Sequence, residues 1–214
     1  MRRLAVEEFQ VADPPEAWAR AGFTVDADAV CRVGGVAIRL VGRDRGTGIV
    51  GWSLNGAPFD VRDVDGIATT TTAGADGASA PGTHRNGVAS VDHVVLFSPH
   101  LPRTLAALAE LGAHPRRERD GDLGGRPIRQ VFLRLGEVIV EVVGGADTAD
   151  DGPAALWGLT YVVDDVDAVG AALGDRTSPV KDAVQPGRRI TTLRHHEFGM
   201  SVPTALISPP ILGS

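Results

Sequence analysis

The sequence predicts an α+β fold built from tandem βαβββ modules. Two observations lead to this prediction. From residue 88 onward a buried strand, an amphipathic helix and further strands follow one another, and the same order recurs over residues 157–207. In addition, segments of the first 67 residues match segments of the later part of the chain.

The first module opens with residues 88–97, whose apolar and β-branched side chains are typical of a strand buried on both faces. Leucines at helical spacing over residues 101–111 predict a helix, and Gly112 favours its end there. The polar, glycine-rich residues 113–125 predict a short strand and a loop. Two strands joined by a tight turn complete the module, over residues 128–135 and 138–143.

The second module opens with a predicted strand over residues 157–163. Asp164 and Asp165 are typical helix N-cap residues, and apolar residues then recur at helical spacing up to residue 173. Three more strands are predicted, over residues 180–184, 190–194 and 202–207.

The first 67 residues resemble a degenerate copy of the same βαβββ module. Residues 33–42 align without gaps with residues 135–144, and residues 61–65 match residues 163–167. We interpret the matches as duplication. The alternative is that strand-turn-strand segments resemble one another by composition alone. On the first interpretation, residues 1–67 form a degenerate βαβββ-like region.

Residues 68–87 separate this region from the rest. They are rich in Thr, Ala, Gly and Ser and carry no hydrophobic period, which predicts a flexible linker. Residues 88–214 then form the main domain, which contains both βαβββ modules.

Composition and charge limit the classes of partner. The formal net charge of −6 argues against nonspecific nucleic-acid binding, which needs a basic surface. No run approaches the roughly 20 apolar residues that span a bilayer, and the first residues lack the apolar stretch of a secretory signal. The one cysteine, Cys31, excludes an internal disulfide and a multi-cysteine metal site. We therefore expect a cytoplasmic protein with a small-molecule partner and no nucleic-acid or membrane partner.

Three segments carry a resemblance to a known family. Residues 91–95, 132–143 and 157–168 resemble the opening strand, the closing strand pair and the second-module start of the glyoxalase/bleomycin-resistance/dioxygenase family, or vicinal oxygen chelate superfamily. The resemblance implies that the two modules form an open, mostly antiparallel, barrel-like sheet around a cleft, with helices outside. It also implies that metal-dependent members hold a divalent ion, such as Zn, Ni, Mn or Fe, with His and Glu side chains.

The resemblance places His93 and Glu141 on two of the metal-ligand positions. Each lies among apolar residues of a predicted strand, where a polar side chain is costly unless it is paired or metal-bound. The alternative is that these two side chains hydrogen-bond each other, or their neighbours, in a polar cleft.

The second module departs from the family pattern at the other two ligand positions. The residues there are Gly158 or Leu159 in place of a His, and Thr204, Ala205 or Leu206 in place of a Glu. Ligands could instead come from His195, His196 and Glu197 turning into the cleft, from a partner chain in a homodimer, or from water. If that segment is extended, at most one of His195 and His196 faces inward. The alternative is that it forms a solvated turn.

In the N-terminal copy, Glu7 stands approximately where His93 does and Arg39 stands where Glu141 does. No metal site is expected there, since an arginine does not bind a cation. Trp157 begins a strand that corresponds to the strand of Trp52, and it is a candidate for the cleft wall unless it belongs to the core.

Arginines of the two modules suit the bidentate capture of a carboxylate or phosphate. Arg129 and Arg134 lie on opposite faces of one predicted strand, so one of them faces the cleft, and Arg134 is our candidate. Most of the group are expected to be ordinary solvated surface charges. The group comprises Arg116, Arg117, Arg119, Arg126, Arg129, Arg134, Arg188, Arg189 and Arg194.

Two functions are compatible with these features. The first is an enzyme of lyase, isomerase or dioxygenase type that acts on a small oxygenated or anionic molecule, with His93 and Glu141 as metal ligands or as an acid/base pair. The second is a metal-free protein that binds or sequesters a small molecule, as bleomycin-resistance proteins do. The missing second-module ligands favour binding, and His93 with Glu141 favours the enzyme.

Overall fold

The structure is a computed structural model that describes residues 3–58, 60–72, 81–145 and 150–211. These residues form two mixed sheets, one of six strands and one of eight. No helix within the described ranges is long and apolar enough to cross a membrane.

The N-terminal sheet is formed within residues 5–72. Its elements are β1 (Ala5–Val11), α1 (Pro15–Arg20), β2 (Val30–Val33), β3 (Val36–Leu40), β4 (Ile49–Asn55), β5 (Asp63–Val64) and β6 (Ile67–Thr72). The strand order is β2-β3-β1-β4-β6-β5. The predicted linker therefore starts too early, because residues 68–72 belong to β6, where they pair in parallel with β4. Residues 73–80 of that linker lie outside the described ranges.

The C-terminal sheet contains both predicted modules. Its elements are β7 (Val88–Ser98), α2 (Leu101–Glu110), β8 (Arg117–Leu123), β9 (Arg126–Leu135), β10 (Val138–Gly145), β11 (Ala155–Val163), α3 (Val166–Leu173), β12 (Lys181–Asp182), β13 (Arg189–Thr192) and β14 (Thr204–Ile207). The strand order is β12-β13-β14-β11-β7-β10-β9-β8.

Local sequence signals explain several boundaries of this sheet. The Asp165 side chain accepts a hydrogen bond from the backbone N–H of Ala168 at 2.9 Å, which caps α3. Gly136 has φ of 66° in the turn between β9 and β10. The strand predicted over 180–184 is shorter than expected, since only Lys181–Asp182 pairs with β13 and the following residues form a loop.

The eight-stranded sheet curls into an open half-barrel, which confirms the predicted fold class. The opening strands of the two modules, β7 and β11, lie antiparallel at its centre. The two parallel pairs, β7–β10 and β11–β14, join the first and last strand of each module. All other neighbouring strands in this sheet are antiparallel.

The N-terminal sheet repeats most of this arrangement. Its order, β2-β3-β1-β4-β6-β5, matches β9-β10-β7-β11-β14-β13 in both neighbours and strand directions. It therefore corresponds to a shortened version of both C-terminal modules, whereas the sequence suggested a single degenerate one. Counterparts of β8, β12 and α3 are not found in residues 3–58 and 60–72.

The two sheets share one hydrophobic core. The rings of Trp18 and Phe23 from the N-terminal part pack with Tyr161 of β11, and the Phe23 and Tyr161 ring centroids are 5.3 Å apart. The fully buried Asp13 carboxylate accepts hydrogen bonds from Trp18 Nε1 and from Ser201 Oγ. These contacts fix the C-terminal sheet against its N-terminal counterpart.

Candidate active site

The concave face of the eight-stranded sheet borders a cleft of about 440 Å³. Alternate residues of a strand point to the same face, so β7, β8, β9 and β10 each contribute side chains to its floor. The loop after β12 forms one wall. The lining residues include His93, Arg116, Arg117, Arg119, Gln130, Phe132, Arg134, Ile139, Glu141, Val184, Gln185, Ile190 and Ile207. The sequence-based candidates His93, Glu141 and Arg134 therefore lie together.

His93 forms a hydrogen-bonded pair with its sequence neighbour Asp92. Its Nδ1 atom lies 2.7 Å from Asp92 Oδ2, and its Nε2 atom lies 3.7 Å from Glu141 Oε2. A carboxylate accepts hydrogen bonds, so we assign the Nδ1 proton to the bond with Asp92. That leaves Nε2, which lies toward Glu141 on the cleft side, as the ring nitrogen that can accept a hydrogen bond in the neutral imidazole.

A β-bulge allows the two neighbouring side chains to meet. Val91 pairs with Tyr161 and His93 pairs with Thr160 across β7 and β11, so Asp92 is an extra residue between two consecutive pairs. A bulge changes the direction in which a side chain points. Without it, Asp92 and His93 would project from opposite faces of the sheet.

Asp92 is held from its other side by Arg188. Arg188 Nη2 lies 2.6 Å from Asp92 Oδ1, and both side chains are buried. The same guanidinium donates to Gln185 Oε1 and to the Ser208 backbone carbonyl. Burial raises the pKa of Asp92, but hydrogen bonds from His93 and Arg188 outweigh that effect and bring the pKa below its ordinary value. Asp92 is therefore an anchored carboxylate.

The Glu141 carboxylate has His93 on one side and Gln130 on the other. Gln130 Nε2 donates a hydrogen bond to Glu141 Oε1. Gln130 Oε1 in turn accepts from Arg119 Nε and Nη2, at 2.9 and 2.6 Å. A continuous row of polar contacts therefore crosses the cleft floor from Arg188 to Arg119, with His93 and Glu141 at its centre.

Four arginines line the cleft, namely Arg116, Arg117, Arg119 and Arg134. The guanidinium groups of Arg117 and Arg119 lie 6.0 and 5.8 Å from the centroid of the Phe132 ring. None of the four forms an ion pair with a carboxylate of the described residues. Arg116, Arg117 and Arg134 are exposed, as expected of surface charges, although they border the cleft. The expectation is wrong for Arg188, which is buried.

His195 and His196 lie elsewhere. They belong to a 3-10 turn, His195–Phe198, that contacts the N-terminal part, where Arg20 donates to the Phe198 carbonyl. Burial and the adjacent His196 lower the pKa of His195. Neither histidine is among the cleft-lining residues, and the segment forms the turn that was the alternative to a place in the cleft. Glu197 lies in the same turn.

Trp157 lies beyond the arginine-lined cleft. Its side chain is 49% exposed, and its ring packs on Phe97 with centroids 5.3 Å apart. It is therefore neither core nor a wall of that cleft. It occupies the end of β7 and β11 that is remote from Arg134.

Comparisons with solved structures cover the whole chain. A mutant of 4-hydroxymandelate synthase from Streptomyces coelicolor matches with a TM-score of 0.66 and 15% identity, covering 100% of this chain and 95% of that chain. A xylose isomerase-like TIM barrel/4-hydroxyphenylpyruvate dioxygenase fusion protein matches with a TM-score of 0.61 and 11% identity, covering 100% of this chain and 50% of that one. The chain has the vicinal oxygen chelate fold.

Other comparisons are more limited. Methylmalonyl-CoA epimerase from Mycobacterium tuberculosis matches with a TM-score of 0.45 and 19% identity, over 58% of this chain and 90% of that chain. No protein-family model matches the sequence. No curated protein matches it either.

The vicinal oxygen chelate fold implies four metal-ligand positions, and only two of them, His93 and Glu141, carry a metal-binding side chain here. Gly158 and Leu159 on β11 and Thr204, Ala205 and Leu206 on β14 offer no His, Asp or Glu side chain. The described part of the chain contains no group of three or more His, Cys, Asp or Glu residues that could hold a metal ion. His93 and Glu141 alone are too few for a resident divalent metal. The donor set therefore does not fit such an ion, whereas hydrogen bonding within a polar cleft fits both residues.

The N-terminal counterpart of the His93 and Glu141 positions is an ion pair. Strand register aligns Glu8, which pairs with Ala37, to His93, which pairs with Ile139. The sequence placed this counterpart one residue too early, at Glu7, which instead occupies the bulge position of β1. Glu8 Oε2 lies 2.8 Å from Arg39 Nε, so the fold has a salt bridge where the C-terminal sheet has His93 and Glu141.

Proposed function

We propose that the cleft binds a small molecule carrying a carboxylate or phosphate group and that His93 transfers a proton to or from this molecule. The observation that carries the proposal is His93, anchored by Asp92, in the same cleft as arginines that have no carboxylate partner among the described residues. The reaction would be of isomerase or lyase type, since both types need a proton moved at a defined atom.

Anion capture is the first step. Guanidinium groups donate paired hydrogen bonds in the planar geometry that carboxylate and phosphate oxygens accept. Arg117 and Arg119 on β8 and Arg134 on β9 line the cleft, and no carboxylate within the described ranges pairs with them. An anion from solution would satisfy them, despite the chain's net charge of −6.

Proton transfer is the second step. Arg188 holds Asp92, and Asp92 fixes the His93 ring with Nε2 toward the cleft. When Nε2 takes a proton from the ligand, the adjacent carboxylate stabilises the imidazolium that forms. Negative charge that develops on the ligand is stabilised by the arginines that hold it. Asp92 and Arg188 act through His93 and need not touch the ligand.

A binding experiment tests the first step. Acetate and inorganic phosphate would be titrated calorimetrically into the full chain in the presence of EDTA. Arg134→Gln should weaken binding about tenfold or more, since a charged hydrogen bond contributes about 1.5–3 kcal/mol. Arg129→Gln is the matched control, because Arg129 lies on the same strand but pairs with Asp120 outside the cleft. Equal effects of both substitutions would contradict the proposed anion site.

A proton-exchange experiment separates the enzyme from the binding protein. Deuterium incorporation from D2O into small 2-oxo acids and other carboxylates would be followed by NMR. We expect incorporation that His93→Gln abolishes, with anion affinity retained. Tight anion binding without any His93-dependent exchange would favour the alternative function, a metal-free binding protein.

The metal hypothesis has its own test. Melting temperature would be followed with Ni²⁺, Zn²⁺, Mn²⁺ and Fe²⁺, because a ligand specific to the native state raises it. Since two donors are too few for a resident ion, we expect no rise that depends on His93. A rise in the unmodified chain that His93→Ala removes would restore His93 as a metal ligand.

A further inference from the structure

A second cavity, of about 360 Å³, borders the concave face beyond the arginine-lined cleft. Its lining is mostly apolar and includes Phe97, Leu123, Ile128 and Val143. Neither His93 nor any cleft arginine lines it. Its chemistry therefore differs from that of the site described above.

The two cavities lie on one continuous surface. Ile128 and Gln130 face the same side of β9, and Val143 and Glu141 face the same side of β10, because residues two apart share a face. Val143 also pairs directly with Phe97 on β7. Phe97 follows His93 by four positions on β7, a distance of about 13 Å along an extended strand.

Two exposed apolar side chains lie at or beside this cavity: Leu123 lines it, and Trp157 packs on the lining residue Phe97. Leu123 is 56% exposed and Trp157 is 49% exposed. Apolar side chains of this size tend to be covered, and a cluster at the mouth of a cavity marks a binding surface. Its continuity with the arginine-lined cleft indicates that one ligand covers both.

We propose that the cavity lined by Phe97, Leu123, Ile128 and Val143, beside which Trp157 packs on Phe97, is an apolar subsite, and that the ligand of the cleft is an amphipathic anion. Its charged head lies at the arginines, its reacting atom lies at His93, and its apolar tail extends over the subsite. This inference rests on the proposed function, because it assigns the second half of the same ligand.

Carboxylates of increasing chain length test the inference. Acetate, hexanoate and decanoate would be titrated into the full chain below their aggregation concentrations. Each buried methylene contributes about 0.8 kcal/mol, which corresponds to about fourfold in affinity. We expect affinity to rise with chain length by up to that factor per methylene. Arg134→Gln should weaken all three carboxylates by a similar factor, because the head group is common to them.

Tryptophan fluorescence gives a readout at the subsite itself. Trp18 and Trp52 are fully buried, so the emission that acrylamide quenches comes from Trp157. Decanoate should shift this emission to shorter wavelength and protect it from quenching, while acetate should leave it unchanged. Trp157→Ala should flatten the dependence of affinity on chain length, and Trp157→Phe should retain most of it.

Three outcomes would overturn the inference. Equal affinities for acetate and decanoate, with Arg134-dependent binding of both, would remove the subsite and leave the proposed function standing. Absence of binding by all three carboxylates would remove the inference, and absence of phosphate binding as well would also remove the proposed function. An emission that shifts with protein concentration alone, together with a dimer that Trp157→Ala dissociates, would assign the patch to a second copy of the chain.

Discussion

The buried pair of Arg188 and Asp92 allows a quantitative prediction. Replacing Arg188 with Met leaves the Asp92 carboxylate in a buried site with His93 as its remaining partner and removes hydrogen bonds to Gln185 and Ser208. Removing one member of a buried ion pair costs about 3–5 kcal/mol. We expect Arg188→Met to lower the free energy of unfolding, measured in urea, by that amount.

The neighbouring arginine is a matched control. Arg189 pairs with Asp167 at 2.9 Å, but both side chains are largely exposed. Exposed pairs contribute about 0–1 kcal/mol, so Arg189→Met should change stability little. In a double-mutant cycle, Asp92→Asn and Arg188→Met should be non-additive. Additivity within about 0.5 kcal/mol would refute the coupling inferred from the geometry.

The same pair determines a dependence on pH. The pKa of Asp92 is lowered in the folded protein, so its ionisation stabilises the fold above the unfolded value of about 3.9. This contribution is lost as the pH falls through the folded-state pKa. Arg188→Met removes one cause of the lowered pKa, so the acid-linked loss of stability should be smaller in the variant and should be complete at a higher pH.

Three further predictions concern buried groups outside the cleft. The Tyr161 hydroxyl is buried without a hydrogen-bond partner among the described residues. Tyr161→Phe should therefore leave the free energy of unfolding in urea unchanged or raise it by about 1 kcal/mol. A clear loss of stability would reveal a partner. Burial raises the pKa of the Cys31 thiol to about 12. The thiol should therefore react with DTNB at pH 8 only when the protein unfolds. Rapid labelling of the native protein would contradict this. Burial lowers the pKa of His84, whose Nδ1 accepts from the Thr24 N–H. The unfolded chain therefore binds the proton more readily, and stability should fall below about pH 6.5 by up to about 1.4 kcal/mol per pH unit; an unchanged pH profile in His84→Gln would argue against it.

The parts of the fold that were predictable rest on local signals. The hairpin of β9 and β10 follows from two apolar strands around Gly136, and α3 follows from the cap at Asp165. His93 and Glu141 were placed together through the resemblance of short motifs. The predicted start of the linker was wrong because the Thr-rich residues 68–72 can form either a loop or a strand. Their pairing with β4 makes them a strand.

The parts that were missed depend on contacts between distant residues. Asp92 was assigned no role because neighbours on a strand normally point apart, and the bulge that reverses this is set by pairing with β11. The sequence placed Arg188 only in the group of arginines suited to anion capture, because its partner Asp92 lies 96 positions away in sequence. The bulge of β1 likewise displaced the counterpart of His93 from Glu7 to Glu8. The homodimer and the cytoplasmic location remain predictions.

Locating a bound anion tests the central claim most directly. Crystals of the full chain would be soaked in selenate, and anomalous diffraction at the selenium edge would give the position of each ion. We predict an ion in the cleft within hydrogen-bond distance of at least two of Arg117, Arg119 and Arg134, on the same side of the sheet as His93. Selenate bound only at exposed arginines such as Arg126 or Arg189, with none in the cleft, would contradict the account.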